Sequence, residues 1–451
     1  MCANKTELVI VVESGRCSWG RCIFCSFSKK PDVPKPDFDR LKKDLDTKLN
    51  RQYDTVKYLN SGSFLDELQI PVKFQEYLIK KCIALGVKDL VIECLPTHIT
   101  KKNLEVIKDA SNGKKLKIHF ALGLEVADDE VLAKICKGFK LSDYLAAVAF
   151  IKKEGFFVRT YLMANLPYIG DISQSLADSV RFAEQHGDSV VIINTFAYGY
   201  APLFSLWLNG EWRPIDRRGF ESLVNKHRKN KKVEIYFEDY ITYPRFKSQP
   251  PLVGATIDNL KNPVYDVWQD YLARFYTKPE IKKYALFLPC SYRKPYSRSQ
   301  THHELLKRLT ALPFYSNLHQ LMISNPGVIP REFETKYPFA HYDWPEWEET
   351  LEIKKTYIKV TEKRIETYLS HHKYEQVFAY FKPESESFIA LKNACKKLKI
   401  PLIYCVDELL CSDIKKDKKN ILKARRMLDN LVRCLRINVA VMPVPTITTP
   451  G

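Results

Sequence analysis

The chain has no apolar run approaching the roughly 18 residues that cross a bilayer as a helix, so an integral membrane protein is not expected. Its start, MCANKTELVIVV, lacks the layout of a secretory leader. A soluble, cytoplasmic protein is the expectation. Acidic side chains are in short supply: 53 Asp and Glu stand against 71 Lys and Arg, a net charge of +18. That excess suits a polyanionic partner, nucleic acid first, or simply solvated lysine-rich faces. Two clusters concentrate it, Lys226 to Lys232 (KHRKNKK) and Lys415 to Arg426 (KKDKKNILKARR). The twelve cysteines mostly lie scattered in apolar runs, as in a reducing compartment. Cys82, Cys94, Cys136, Cys395, Cys405 and Cys434 read as small buried hydrophobes.

Nine residues near the start stand apart. Cys17 to Cys25 reads CSWGRCIFC, a C-x4-C-x2-C arrangement directly after the apolar run ELVIVV (7–12). Three thiols on one short loop suit a metal or cluster rather than a disulfide framework. A closed zinc site wants four ligands, and no fourth Cys or His follows at a zinc-finger spacing. A 4Fe–4S cluster held by three cysteines keeps one iron open to a cofactor or substrate. Spacing alone leaves zinc and cluster both open.

With 451 residues the chain can build two or three domains. Strand-like runs fall at 7–12, 56–60, 88–93, 116–122, 157–163 and 190–195. Helical patterns fill the gaps near 37–51, 70–85, 101–112, 128–154 (interrupted at Gly138) and 173–186. This alternation predicts an α/β fold with a parallel sheet and right-handed crossovers, a partial (βα)6 TIM barrel over 1–245. Barrel chemistry gathers at the carboxyl ends of the strands. There the sequence puts Asn60, Ser61, Gly62 and Ser63, then Glu93, then Gly123 and Glu125, then Asn165, then Asn194. For any one of them a capping or turn role is the competing reading. A Pro-rich stretch (YPRFKSQPPLV, 243–253) and a helix near 256–276 read as a linker and connecting helix over 246–278. A second α/β pattern fills 279–441, and 442–451 reads as a disordered tail.

A three-cysteine loop after the first strand, with Phe24 before the last Cys, resembles the radical S-adenosylmethionine (SAM) superfamily. Its commonest spacing is C-x3-C-x2-C, so one residue is extra here. The strings SGSFLD (61–66), GLEVADDEVLAKICKGF (123–139) and VRTYLMANLP (158–167) resemble the archaeosine synthase radical SAM subunit. Residues 289–302, PCSYRKPYSRSQTH, and 327–345, GVIPREFETKYPFAHYDWP, are similar to archaeosine synthase itself.

The resemblance implies a 4Fe–4S cluster on Cys17, Cys22 and Cys25, with SAM chelating its open iron. It implies tRNA as substrate, whose 7-cyano-7-deazaguanine first gains lysine and is then cleaved at a C–N bond to archaeosine. An unactivated methylene has no acidic proton, so homolytic abstraction rather than a base must start that cleavage. Under this reading Asn60, Ser61, Gly62, Ser63, Gly123, Glu125, Asn165 and Asn194 line the cofactor site. Glu93 meets the lysine or amidine cation, and Arg159 the SAM carboxylate. In the second domain Cys290, beside Ser291, Lys294 and His302, forms a nucleophile with basic neighbours suited to attack a nitrile, or Lys294, Tyr296, Ser297, Ser299 and His302 bind a phosphate or the modified base without chemistry. Trp207, Trp212, Trp344 and Trp347 are candidate stacking surfaces for the base. Further partners are an electron donor such as ferredoxin and a separate synthase subunit. Two alternatives stay open: an enzyme that also adds lysine to the nitrile, and a tRNA-binding protein whose cluster is structural.

Overall fold

The computed structural model describes residues 6–111, 115–237, 243–409, 411, 422 and 424–440. It divides into two compact units, Met1–Thr242 and Tyr243–Gly451. The tail 442–451 and most of the 415–426 basic cluster lie outside the described residues.

In the first unit seven strands pair in parallel and in sequence order. They are β1 (Glu7–Val11), β2 (Thr55–Leu59), β3 (Asp89–Cys94), β4 (Lys117–Glu125), β5 (Phe157–Ala164), β6 (Ser189–Asn194) and β7 (Val233–Tyr236). Seven strands rather than six make the sheet, because VEIYF continues it beyond β6. Five strand spacings of about 4.8 Å would part β2 from β7 by roughly 24 Å in a flat sheet. Lys57 Nζ of β2 nevertheless lies 3.5 Å from Glu234 of β7, so the sheet curls into a half-barrel.

Alternation sorts the strand residues between two environments. Ile10, Val56, Tyr58, Leu90, Ile92, Ile118, Phe120, Val158, Leu162, Val190 and Ile192 join one outer core with the helices. The inward set carries charge, with Lys57 bridging Glu7 (3.0 Å) and Glu234, and Arg159 paired with Glu234. The helices begin where carboxylates meet their first free N–H groups. Asp37 caps α1 (Phe38–Lys48), Asp128 caps α4 (Asp129–Lys134) and Asp171 caps α6 (Ile172–His186). Between α1 and α4 lie α2 (Val72–Ala84) and α3 (Lys101–Ser111), and α5 (Leu141–Lys153) follows α4. Of the cysteines read as core, Cys82, Cys94, Cys395 and Cys405 are buried, Cys434 is half-buried and Cys136 is exposed. Cys136 sits in the tight turn after α4 with φ +54, where no apolar layer covers it.

The second unit holds a mixed five-stranded sheet in the order β11-β10-β9-β13-β14. Its strands are β9 (Tyr284–Pro289), β10 (Leu318–Ser324), β11 (Gly327–Pro330), β13 (Gln376–Ala379) and β14 (Leu402–Tyr404). All pairs are parallel except β10 with β11. From β9 the chain builds to one side, then crosses to β13 on the other, so the strand order reverses at β9. The stretch read as a linker belongs to this unit. Leu252–Val253 (β8) pairs with Tyr342–Asp343 (β12), and the helix Pro263–Arg274 buries Trp268 completely among Tyr271, Phe333 and Phe339. Asn262 and Pro263 split the expected helix, Asn262 serving as N-cap with Pro263 in the first turn.

Buried Arg364 ties this unit together, donating to Asn325 O (2.6 Å), Leu260 O (3.0 Å) and Asp266 Oδ1 (2.8 Å). Arg364→Ala strands two carbonyls without donors. It should cost roughly 2–4 kcal/mol, seen as lost hydrogen-exchange protection in β10. Unchanged protection there would show that the arginine is not a tie.

Candidate active site

The C-x4-C-x2-C loop leaves β1 and returns across the carboxyl ends of the neighbouring strands. Two local features shape it. Gly15 has φ +61, and a Cβ there would stand 1.9 Å from Leu68 O. Arg16 closes the loop's far side by donating to Ser28 O and Pro31 O, both at 3.0 Å.

Each string singled out in the sequence has a physical task around this loop. In SGSFLD, the Asp66 carboxylate accepts from Ser18 N (3.2 Å). Ser63 N donates to Gln69 Oε1 (2.8 Å), and its Oγ accepts from Leu95 N (3.3 Å). Gly62 leaves room for the Gln69 carboxamide, since a Cβ would fall 2.1 Å from Gln69 Oε1 and displace that side chain. In GLEVADDEVLAKICKGF, Asp128 caps α4 while Asp129 accepts from Leu141 N (2.7 Å) at the start of α5. Trp19 of the cysteine loop lies flat on Gly138, where a Cβ would meet the ring at 2.3 Å, and its Nε1 donates to Cys136 O (2.8 Å). Ile23 N donates to Ile135 O (3.1 Å). The loop is thus docked on the α4–α5 turn.

At the centre is a buried ion pair, Lys137 Nζ to Glu125 Oε1 at 2.6 Å, with side chains 6% and 8% exposed. Burial alone would depress the lysine, but the Glu125 carboxylate and the Cys22 thiol outweigh it and hold the amine above its ordinary value. Burial pushes the Cys22 thiol up to about 11, against the pull of the same ammonium. The ammonium also faces the rings of Phe24 (5.5 Å) and Phe139 (5.6 Å). Gly123 makes room for the pair, since a Cβ would lie 2.5 Å from Glu125 Oε1.

Strain collects on the same rim. Ser61, Glu125 and Asn165, at the ends of β2, β4 and β5, all have φ between +54 and +68, a conformation costing roughly 1–3 kcal/mol each and typical of functional sites. Asn60 is 2% exposed, and neither atom of its carboxamide has a partner. A buried amide left so is costly unless a ligand completes it. It lines a cleft together with Ser14, Gly15, Cys17, Ser61 and Gln69.

Other expected site residues have different work. Glu93 accepts from the backbone of Ser61 (2.8 Å) and Asn60, and burial raises its carboxyl against those donors. It shapes the β2 turn. Arg159 sits mid-strand in the charged interior, paired with Glu234 and remote from the cysteine loop along β5. Asn165 donates to Arg213 O (3.0 Å) and accepts from Trp212 Nε1 (2.9 Å). Asn194 is 2% exposed at the end of β6. Trp207 and Trp212 are buried in the first unit; of the four tryptophans expected as stacking surfaces, Trp347 is the one widely exposed, and Trp344 is partly covered with its Nε1 on Glu349. The 226–232 cluster lies along α6, with Lys226 Nζ on Ser173 O (3.1 Å) and Asn230 on Glu184.

Among the described residues no three His, Cys, Asp or Glu side chains converge on a single ion. A four-iron cluster asks for something else, since each thiolate takes a different iron. Three free thiols on one loop, beside a buried cation and an unpartnered amide, fit that cluster with SAM.

Residues 12–180 match the Radical SAM superfamily. The first unit carries a radical SAM domain. Residues 266–418 match a domain of unknown function, DUF5591. Archaeosine synthase subunit alpha of Thermoplasma acidophilum is 32% identical over 34% of this chain and 29% of its own length. The subunit of the same name from Methanosarcina acetivorans is 35% identical over 30% of this chain and 21% of its own. Archaeosine synthase of Haloferax volcanii is 31% identical over 22% and 16% respectively. The chain therefore spans less than a third of the curated relatives just named. Coproporphyrinogen III oxidase from Escherichia coli superposes loosely, with TM-score 0.34 at 11% identity over 95% of this chain and 90% of that one. The chain joins a radical SAM domain to a domain resembling archaeosine synthase, and a radical SAM domain implies a 4Fe–4S cluster and SAM.

In the second unit the two archaeosine-synthase-like strings are bonded to each other. Tyr296 and Tyr342 share a hydroxyl–hydroxyl bond (2.6 Å), Ser297 N donates to Glu334 (3.1 Å), and Arg331 Nη2 donates to His302 Nδ1 (2.9 Å). His302 is fully buried and its Nε2–H donates to Pro289 O (2.9 Å). Both ring nitrogens are occupied, so it positions β9 and is no general base for Cys290. Burial, then the Arg331 charge, lowers it to about 3.

Sequence inspection missed Lys137 and Gln69. Lys137 stood inside a quoted string, but only folding shows that it turns inward. Lys137→Met leaves Glu125 buried without a partner. It should cost roughly 3–5 kcal/mol, read as a lower urea midpoint; an unchanged midpoint would mean Glu125 reaches water.

His302 and His372 have native pKa values of about 3 and about 4, burial being the main cause in each. Between those values and about 6.5, the unfolded chain binds more protons, so stability must fall as pH drops. Each contributes up to about 1.4 kcal/mol per pH unit in that window, measurable as acid-dependent midpoints that flatten in His302→Gln.

Proposed function

We propose that this chain is a radical SAM C–N lyase that converts the lysine adduct of 7-cyano-7-deazaguanine in tRNA to archaeosine, with the second unit binding substrate. The observation that carries the reading is the rim itself: three free thiols docked by Trp19 and Lys137 beside the unpartnered amide of Asn60. It is supported by a second unit resembling archaeosine synthase in the same chain.

A cluster with SAM supplies one-electron cleavage of SAM to a radical that abstracts hydrogen. The residues around it bind and orient. Cys17, Cys22 and Cys25 would hold the irons. Lys137, unlike Arg159, is a buried cation beside the Cys22 thiol, and so the better candidate of the two for the SAM carboxylate. The Asn60 carboxamide and the turn Ser61–Gly62–Ser63, braced by Glu93 and Gln69, offer SAM hydrogen bonds. Glu125 keeps Lys137 in place. The target base lies within folded tRNA and must be extruded to reach the rim. Partners in this reading are tRNA, a ferredoxin-like electron donor and a separate synthase subunit.

The test is anaerobic. Protein with reconstituted cluster, SAM, dithionite and tRNA bearing the lysine adduct should yield 5′-deoxyadenosine and archaeosine by mass spectrometry. Lys137→Met should raise the KM for SAM about tenfold or more, the scale of a lost charge-assisted contact. Deoxyadenosine without archaeosine would redirect the substrate assignment. No SAM cleavage at all would overturn the reading.

A further inference from the structure

Strand β14 runs straight into Cys405, whose N–H donates to Ala379 O (2.9 Å) and so extends the pairing with β13. The helix Arg425–Ala440 meets the chain again at this point. Its Asn430, Cys434 and Asn438 recur at four-residue spacing and share one helix face. Asn430 Nδ2 donates to Cys405 O (3.1 Å), and the Sγ atoms of Cys434 and Cys405 lie 2.8 Å apart. Asn438 accepts at its carbonyl from Gln376 Nε2 of β13 (2.9 Å), while its own Nδ2 donates to Cys434 O (2.8 Å). The two asparagines flank the cysteine and hold the register in which the thiols meet.

Both cysteines are free thiols, 29 residues apart in sequence. A cysteine kept for packing has carbon around its sulfur, whereas here sulfur meets sulfur. An S–S bond of about 2.05 Å asks for roughly 0.8 Å of approach from this contact. The two sites are unequal. Cys405 is 1% exposed, and Cys434 is half-buried. The Cys405 thiol and the Arg433 charge lower the Cys434 thiol, while the Cys434 contact and burial raise Cys405. The more open sulfur is thus the better thiolate, and the enclosed one is its resolving partner.

We propose that Cys405 and Cys434 are a redox-responsive pair that closes to a disulfide by exchange with a small-molecule disulfide. Cys434 attacks one sulfur of the reagent, whose other half leaves as a thiolate and takes up a proton. Cys405 then loses its proton and attacks Cys434 Sγ in the mixed disulfide, and the second half leaves as a thiol. Two protein thiols are oxidised and one reagent disulfide is reduced to two thiols, with no other reactant. In a reducing compartment the pair rests open. When the thiol pool turns oxidising, closure ties the helix Arg425–Ala440 to the end of β14.

The inference lies in the second unit and goes beyond the lyase reading, so its test reads bonds rather than turnover. The full chain, with its cluster reconstituted, is exposed anaerobically to oxidised glutathione, quenched with N-ethylmaleimide and mapped by peptide mass spectrometry. Exposed Cys136 is the benchmark. Cys434 should be consumed roughly tenfold or more faster than Cys136. It should end as a Cys405–Cys434 bridge, while Cys136 ends as a glutathione adduct. Bridging should raise the urea midpoint, reversibly with dithiothreitol, because closing a 29-residue span restricts the unfolded chain. Cys405→Ser should trap glutathione on Cys434, and Cys434→Ser should leave Cys405 unlabelled. The wild-type map decides the matter even if a substitution fails to fold. Glutathione retained on wild-type Cys434 without a bridge, or both thiols untouched once Cys136 is fully modified, would overturn the proposal.

Discussion

The first unit hangs on one buried ion pair. Lys137 and Glu125 meet at 2.6 Å with almost no water around them. Each would be prohibitively costly there alone. Together they fix the turn after α4 against the end of β4, and the cysteine loop is laid on that turn through Trp19, Gly138, Ile23 and Ile135. The same pair brings a positive charge to the thiols. A set of thiolates holding irons accumulates negative charge, so a cation fixed beside it offsets repulsion at no reorganisation cost. Docking and electrostatics therefore come from one contact.

The second unit solves a related problem with neutral groups. Its two family-like strings lie 25 residues apart at their nearest ends, 302 and 327, yet meet through His302–Arg331, Ser297–Glu334 and Tyr296–Tyr342. Arg331 is satisfied by Gln320, Glu334 and His302, all within 3.2 Å. These bonds tie the chain that follows β9 to the segment that follows β11. The network explains why so many polar residues occur in strings that end buried: they hold a strand end in shape.

Much of the architecture was legible in advance. Strands β1 to β6 fall within a residue or two of their expected bounds, except that β4 runs three residues further, because a parallel barrel strand reads as a short apolar run between amphipathic helices. The helical interruption at Gly138 was visible for the same reason. The site was read less well. Arg159 looked like an anion binder from its place in a quoted string, but period-two geometry turns it toward Glu234 and Lys57 in the charged interior. His302 looked like a base because sequence shows a histidine near a cysteine, not which nitrogens are already engaged. Cys136 looked apolar because a lone cysteine away from the three-thiol loop reads as a small hydrophobe; a left-handed turn exposes it.

The amino-acid sequence by itself determined the local elements, the rim on which polar residues collect and the three-thiol loop. All of these follow from spacing within a few dozen residues, where hydrophobic period and capping chemistry act. Only the tertiary structure decided which charges meet. Lys137 pairs with Glu125 across 12 residues, Lys57 with Glu234 across 177, and Tyr296 with Tyr342 across 46. Such pairings depend on sheet curl and strand register, which place distant residues within a few ångströms and leave no periodic mark along the chain.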